Sequence, residues 1–118
     1  MFRSMLRAKL HMAKVTEANI AYTGSLTVDE DLMDLVGMVT YEKVLISNIT
    51  NGERFETYLI PGKRGSGEIC LNGAAARKGV VGDRIIIFSF CWLTESELKD
   101  FQPKIVFLSS DNEPLPRG

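Results

Sequence analysis

Apolar and polar residues alternate with a period of two over much of this chain, which predicts short β-strands with one buried face. The clearest stretch runs from Phe2 to Thr16, where apolar positions alternate with basic ones, namely Leu6, Ala8, Leu10 and Met12 with Arg7, Lys9 and His11. In this register the basic side chains share one face, which would line a cavity or face solvent. We expect the Arg7 side chain to face solvent, and we consider Lys9 and His11 candidates for a functional site. For His11, the chain's single histidine, a hydrogen-bonded structural role is favoured over proton transfer.

Turn and cap residues divide the rest of the chain into short elements. Asn51-Gly52 is a strong hairpin signal between two predicted strands. Asp29 is typical of a helix N-cap, and Gly37 closes the short amphipathic helix that follows it. A second short helix is predicted from Thr94 to Lys99. The apolar run from Ile85 to Trp92 predicts a central strand.

These elements predict a single, mainly β domain over residues 1–118 with a few short helices. Short strands joined by tight turns favour a closed barrel over an open sheet. The polar, proline-containing segment 109–118 is expected to be a mobile tail.

Composition narrows the class of function. The chain is 45% hydrophobic and 25% charged with a net charge of -1, which is typical of an ordinary globular protein and disfavours a nucleic-acid surface. The longest apolar run is too short to span a bilayer, so we expect no membrane contact and a cytoplasmic location. Cys70 and Cys91 form no close-spaced metal motif, and we interpret both as apolar strand residues.

The stretch Tyr22-Thr23-Gly24-Ser25 carries chemistry that no intact side chain offers. In a sharp bend, which the strained or positive-φ geometry open to glycine would favour, the Ser25 hydroxyl can attack the Gly24 carbonyl and form an ester. Elimination and hydrolysis of the resulting dehydroalanine would leave a ketone, a pyruvoyl group, on the new N-terminus. This group is an electron sink for an amine substrate, a role otherwise filled by pyridoxal phosphate. Taken alone, however, a Gly-Ser pair is more typical of an ordinary turn.

A second candidate stretch is Asn72-Gly73-Ala74-Ala75-Ala76, where a short strand breaks into a predicted helical turn. Unpaired backbone amides without bulky side chains could bind an anion there. Close helix packing that requires alanine explains the stretch equally well, and the sequence leaves both interpretations open.

Three motifs at near-constant spacing resemble the aspartate 1-decarboxylase family. They are Tyr22-Thr23-Gly24-Ser25, Asn51-Gly52-Glu53-Arg54-Phe55-Glu56-Thr57-Tyr58 and Asn72-Gly73-Ala74-Ala75-Ala76, within a similarity from about Met5 to Asn112. The resemblance implies a double-psi β-barrel, assembled as a homotetramer with active sites between subunits. It also implies self-cleavage into residues 1–24 and 25–118, which would create a pyruvoyl group from Ser25. With neither metal nor pyridoxal phosphate, such a lyase would convert L-aspartate into β-alanine and CO2 for pantothenate biosynthesis.

The resemblance also implies roles for individual residues. Ser25 would be the pyruvoyl precursor and Tyr58 the proton donor, while Thr57 would contact substrate and assist cleavage near the Gly24 carbonyl. The other residues expected to bind substrate are Lys9, Arg54, Asn72, Gly73, Ala74 and Ala75, with His11 and Tyr22 as further pocket candidates. One departure is that the residue after His11 is commonly basic in this family, whereas Met12 stands here. We expect that difference to alter surface charge or subunit contacts.

These residue types suit the reaction, because L-aspartate carries one amine and two carboxylates and only the α-carboxylate must leave. A phenol such as Tyr58 is neutral near pH 7 and can reprotonate the α-carbon. Arg54 can hold one carboxylate through two hydrogen bonds and the amides around Gly73 another, although which basic group holds which stays open. The alternatives are a non-enzymatic barrel that serves as a binding module and a pyruvoyl decarboxylase for another amino acid. The need for a maturation factor also stays open.

Overall fold

The computed structural model describes residues 1–116, and within them β-strands predominate. The strands are β1 (Phe2–Lys14), β2 (Glu17–Asn19), β3 (Ser25–Asp29), β4 (Lys43–Asn48), β5 (Arg54–Gly62), β6 (Ile69–Asn72), β7 (Arg84–Thr94) and β8 (Lys104–Phe107). The helices are α1 (Glu30–Val36) and two 3-10 helices, Gly73–Arg77 and Glu95–Asp100. No helix in this described part of the chain is long and apolar enough to cross a membrane.

The strands form one sheet in the order β2-β6-β3-β5-β4-β7-β1-β8. Three pairs are parallel, namely β1 with β8, β2 with β6 and β3 with β5, and the other neighbours are antiparallel. Parallel pairing of non-consecutive strands makes the chain cross over itself, which fits the expected double-psi β-barrel. The predicted fold class, a mainly β barrel with a few short helices, is confirmed.

The first strand departs from the predicted alternation at Met12. Ala8 and Leu10 are fully buried, as the period of two requires. The pairing with β7 then shifts between Leu10 and Ala13, and Met12 takes a φ of 68°. Because an inserted residue reverses which positions face the core, Ala13 is buried and Met12 is only half-buried.

The expectation that Arg7 faces solvent is wrong. Its guanidinium forms an ion pair with Glu42 at 2.6 Å, donates to the hydroxyl of Ser89 at 2.9 Å and donates to the Gly37 carbonyl at 3.1 Å. The Glu42 carboxylate in turn accepts a hydrogen bond from Ser89. The network ties β1 to β7 and to the end of α1, and a pattern of alternation cannot reveal such partners.

The strand β7 is central in the sheet, between β4 and β1, as predicted. Ile85 and Ile87 are fully buried, whereas Phe90 and Trp92 are 47% and 69% exposed. One face of the strand therefore lies on the core, and the other lies on the surface of this single chain. A run of apolar residues cannot distinguish a core face from a face left open.

The predicted helix signals are largely confirmed. The carboxylate of Asp29 caps α1 by accepting from the backbone N–H of Asp31 at 2.8 Å, and Gly37 ends it with a left-handed φ of 71°. The second predicted helix is a 3-10 helix, where Glu97 accepts from the backbone N–H of Thr94 at 2.7 Å. This hydrogen bond lowers the pKa of the Glu97 carboxyl.

The segment predicted as a mobile tail makes contacts in its described part. Asn112 is buried, accepts from the backbone N–H of Lys14 at 2.7 Å and donates to the Gly67 carbonyl at 2.8 Å. Leu108 and Pro114 form a β-bridge. Arg117 and Gly118 lie outside the described residues, and mobility over residues 109–118 stays a prediction.

We expect Asp29→Ala to lower the free energy of unfolding by about 3 kcal/mol, because a buried cap loses several hydrogen bonds at once. Besides capping α1, the Asp29 carboxylate accepts from the backbone N–H groups of Gly65 at 3.1 Å and Gly67 at 2.9 Å. The control is Asp31→Ala, which removes an exposed ion pair with Arg64 and should cost less than about 1 kcal/mol. Urea unfolding measures both, and equal losses would contradict the assigned role of Asp29.

Candidate active site at the Gly24–Ser25 bond

Strand pairing places the Gly24–Ser25 bond between two other sequence motifs. Ser25 is the first residue of β3, which lies between β5 and β6. On one side Ser25 pairs with Asn72 at the end of β6. On the other side Leu26 pairs with Leu59 in parallel, so Tyr58 lies level with Ser25 on the neighbouring strand. The motifs containing Gly24, Thr57 and Gly73 therefore converge although long segments separate them.

The Ser25 side chain is buried in a hydrogen-bonded polar cluster. Ser25 and Asn72 are each 4% exposed, and the Asn72 amide nitrogen Nδ2 donates to Ser25 Oγ at 3.0 Å. Nδ2 also donates to Thr27 Oγ1 at 2.8 Å, while Oδ1 of the same amide accepts from the Cys70 thiol at 2.9 Å. The Ser25 hydroxyl itself points to the Thr23 carbonyl at 3.5 Å. The cluster holds Oγ at the bond that would be cleaved.

Gly73, not Gly24, has the left-handed backbone of this site. Gly73 has a φ of 60°, and a Cβ there would lie 2.5 Å from Gly24 N and 2.6 Å from the Tyr22 carbonyl oxygen. The positive φ considered for Gly24 is not observed, and a Cβ on Gly24 would lie 3.7 Å from Ala74 N. The strained conformation and the close approach therefore belong to the residue packed against the 22–24 turn.

A cavity of about 230 Å³ opens beside Gly24. Its lining combines backbone, small side chains and two charged residues, namely Gly24, Phe55, Glu56, Thr57, Ala74, Ala75 and Lys78. A neighbouring cavity of about 310 Å³ is lined by Lys43, Glu56, Thr57 and Tyr58. Thr57 thus lies between the cavity at Gly24 and the one at Tyr58, and a small molecule could contact both. Another cavity, about 530 Å³, shares none of these residues and lies around Asp29 and Asn112.

Three of the candidate residues lie away from this cluster within the single chain. Lys9 and His11 are on β1, four positions from β3 in the sheet order, where Lys9 Nζ lies 5.7 Å above the Phe88 ring. Arg54 starts β5 with an exposed side chain paired opposite Ser47. Tyr22 lies in the turn next to Gly73 but is 59% exposed. The chain by itself does not bring these side chains to Ser25.

His11 packs against Phe107, with ring centroids 4.7 Å apart. Burial lowers the pKa of its imidazole, and the charges of Lys9 and Arg84 lower the pKa further. Its Nδ1 is buried and has no hydrogen-bond partner within residues 1–116. The ring therefore packs as a structural residue would, but the hydrogen bond expected for that role is not made at Nδ1.

Comparison with known proteins agrees with this geometry. The family model described as "Aspartate decarboxylase" matches residues 1–115 of the chain. The chain belongs to the aspartate decarboxylase family.

Curated relatives in this family are similar over nearly their whole length. The chain is 57% identical over 113 residues to the aspartate 1-decarboxylase of Bacillus licheniformis, covering 96% of this chain and 89% of the relative. It is 55% identical over 115 residues to that of Leptospira biflexa, covering 97% of this chain and 98% of the relative. The aspartate 1-decarboxylase of Bacillus subtilis is 55% identical over 113 residues, which is 96% of this chain and 89% of the relative.

Sequence reasoning missed several residues that the fold brings to the candidate site. Cys70 and Thr27 bond to Asn72, and Glu56 and Lys78 line the cavity beside Gly24. The period of two could have found Thr27 and Cys70, because each lies two residues from Ser25 or Asn72 on the same strand face. In the described part of the chain, no group of three or more His, Cys, Asp or Glu residues is arranged to hold a metal ion.

We expect Gly73→Ala to lower the free energy of unfolding by at least about 2 kcal/mol more than Gly82→Ala, since only the first change also forces a clash. Gly82 has a φ of 97° with nothing within 4 Å of an added Cβ, so it isolates the backbone cost. Urea unfolding gives the difference, and NMR of the Tyr22 to Gly24 amides should show a shift for Gly73→Ala alone. Equal losses and unmoved amides would refute the close packing.

Proposed function

We propose that this chain cleaves itself between Gly24 and Ser25, and that the mature protein removes the α-carboxylate of L-aspartate as CO2 to give β-alanine. One observation carries the cleavage: the buried Ser25 Oγ is held at 3.0 Å by Asn72 while Gly73 packs on the Gly24 backbone. Family membership supports the reaction, and the curated relatives are named aspartate 1-decarboxylase. Such a reaction would supply β-alanine for pantothenate biosynthesis in the cytoplasm.

The residues around Ser25 fit a pyruvoyl group formed from it. The serine is buried, its neighbour Gly24 has no side chain, and a cavity of about 230 Å³ adjoins the bond. When present, the group would condense with the substrate amine and accept the electrons released as CO2 leaves. Neither a metal ion nor pyridoxal phosphate is required for this chemistry.

The remaining groups of the cavity would bind and orient the substrate. Thr57 lines both the cavity at Gly24 and the one at Tyr58, so it is placed to contact a molecule bound between them. The backbone of Gly73, Ala74 and Ala75 would hold a carboxylate without a bulky side chain in the way. Tyr58, level with Ser25 on β5, would deliver a proton from its phenol to the α-carbon.

A second subunit would complete the site. Lys9 and Arg54, which would hold the substrate carboxylates, lie away from Ser25 within one chain, as does the pocket candidate His11. Several large apolar side chains are exposed, including Phe2, Ile20, Tyr22, Val39, Tyr41 and Trp92. Apolar exposure of this extent supports association, and we propose a homotetramer with active sites between subunits.

The intact mass of the denatured protein tests the proposed self-cleavage. We expect two fragments, residues 1–24 and a second that begins at position 25 and is lighter by one ammonia than a serine-headed fragment. Ser25→Ala should leave one uncleaved chain, because the attacking hydroxyl is gone. The chain offers a matched control, since Gly65-Ser66 is a second Gly-Ser pair, placed in an exposed turn. Ser66→Ala should cleave as the wild type does, and a wild-type chain that stays whole contradicts the proposal.

Tyr58→Phe tests the proton donor separately from cleavage. We expect β-alanine formation from L-aspartate to fall by at least about 100-fold in kcat, because the phenol proton is lost while the ring remains. Self-cleavage should continue. Tyr41→Phe is the matched control, since the Tyr41 ring lies 6.2 Å from that of Tyr58 and it should keep near wild-type kcat. Unchanged kcat in Tyr58→Phe would exclude this role, and faster turnover of glutamate than aspartate would redefine the substrate.

A further inference from the structure

The buried thiol of Cys70 and the hydroxyl of Thr27 both bond to the Asn72 amide that touches Ser25. We propose that Cys70 and Thr27 are positioning residues for self-cleavage: they hold the Asn72 carboxamide in the one orientation that directs Nδ2–H at Ser25 Oγ. This inference rests on the proposed self-cleavage. It assigns a role to two residues that are not among those lining the cavity beside Gly24.

The thiol decides which way the carboxamide faces. Rotating the Asn72 carboxamide by 180° exchanges the positions of its oxygen and nitrogen. The hydroxyl groups of Ser25 and Thr27 can hydrogen-bond to the carboxamide in either orientation, because a hydroxyl both donates and accepts. A thiol is a donor and only a weak acceptor, so facing it with Oδ1 makes a better hydrogen bond than facing it with Nδ2. Burial, the nearby carboxylates of Glu17 and Glu68 and a hydrogen-bonding interaction with Glu17 raise the pKa of Cys70 to about 11, so the thiol keeps its hydrogen at neutral pH. Glu17 is a second acceptor for that hydrogen, beside Asn72 Oδ1 at 2.9 Å.

Thr27 completes the arrangement by using the second amide hydrogen. Nδ2 has two hydrogens, and they go to Thr27 Oγ1 at 2.8 Å and Ser25 Oγ at 3.0 Å. With Oδ1 held by Cys70, each polar atom of this buried amide has a partner. Removing any one of these three hydrogen bonds would leave a buried polar atom without a partner, which costs free energy. That cost disfavours rotation of the Asn72 carboxamide away from Ser25.

The hydrogen bond from Asn72 bears on the second of the two bond-breaking steps. In the first, Ser25 Oγ bonds to the Gly24 carbonyl carbon, the Gly24–Ser25 C–N bond breaks, and the hydroxyl proton passes to the freed amine. In the second, water removes the Ser25 Cα proton, the Cβ–Oγ bond breaks, and Oγ leaves as part of the Gly24 carboxylate. One water then replaces the nitrogen of the dehydroalanine and releases ammonia.

Negative charge develops on Oγ only when the Cβ–Oγ bond breaks. A donated N–H aimed at that oxygen stabilises the leaving carboxylate, and such a donor acts most strongly in a buried site. In the first step the same hydrogen bond occupies a lone pair of the attacking oxygen and gives no comparable help. Loss of the correct Asn72 orientation should therefore slow elimination and let the ester accumulate.

Hydroxylamine separates the two steps, because it cleaves an ester under conditions that leave amide bonds intact. Freshly made protein is sampled over time with and without hydroxylamine, and intact masses give the uncleaved, ester and ketone-headed fractions. We expect Cys70→Ala to slow formation of the ketone-headed chain about tenfold, the effect of losing one buried hydrogen bond, with a larger hydroxylamine-sensitive fraction. Thr27→Val, which keeps the side-chain shape, should act in the same direction.

Cys70→Ser keeps a donor to Asn72 Oδ1, but its hydroxyl also accepts from the turned amide, so it should cleave faster than Cys70→Ala and more slowly than wild type. Cys91→Ala, at a half-buried cysteine on β7, should match wild type. If Cys70→Ala fails to fold, Thr27→Val still decides the matter, with NMR of the Asn72 side-chain amide in a Ser25→Ala background. The proposal is supported if the Nδ2 hydrogens of Asn72 are protected from exchange with solvent in the parent protein and lose that protection in Thr27→Val.

The possible failures are distinct. A wild-type chain that never cleaves overturns the proposed function and the inference with it. If the wild type cleaves, and Cys70→Ala and Thr27→Val cleave equally fast with no larger hydroxylamine-sensitive ester fraction, the inference alone is overturned. Slower cleavage with no hydroxylamine-sensitive fraction also overturns it, because the amide would then act on the first step.

Discussion

The pairing of β3 between β5 and β6 is the constraint on which the candidate site depends. Its register sets Ser25 opposite Asn72 and level with Tyr58, and a shift by one residue would turn Ser25 away from both. That register is strongly specified because Leu26, Val28, Leu59 and Leu71 all lie in the core. The hydrophobic core therefore determines where the proposed cleavage site lies, although none of these four side chains is assigned a chemical role.

Buried carboxylates and carboxamides hold the loops around this barrel. Asp29 binds the 65–67 loop, Asn112 binds β1 and Gly67, and Asn48 donates to Asp83 at 2.9 Å and to the Lys78 carbonyl at 3.1 Å. Asn72 belongs to the same class, since it joins β6 to β3 through Ser25 and Thr27. Each side chain substitutes for backbone partners that irregular loops cannot supply. The candidate site thus uses the same kind of buried hydrogen-bonding side chain that holds the loops, here beside the bond proposed to be cleaved.

The single chain supplies only part of what the proposed reaction needs. The bond, the buried amide, the cavity and Tyr58 lie together, whereas the basic side chains of Lys9 and Arg54 lie elsewhere on the barrel. Exposed Phe90 and Trp92 occupy the open face of β7, so the apolar run of this central strand is buried on one face only. In the proposed tetramer these two groups of residues have different roles. Lys9 and Arg54 would bind the substrate, whereas Phe90 and Trp92 would contact other subunits.

Local patterns in the sequence determined the elements, the cap at Asp29, the hairpin at Asn51-Gly52, the mainly β class and the family. These follow from nearest-neighbour chemistry and from motifs that can be read in order along the chain. Only the tertiary structure decided the bulge at Met12, the partners of Arg7, the left-handed Gly73 packed on Gly24 and the contacts of Cys70 and Thr27 with Asn72. Each depends on residues far apart in sequence that meet when strands pair, and no local pattern encodes the register that brings them together.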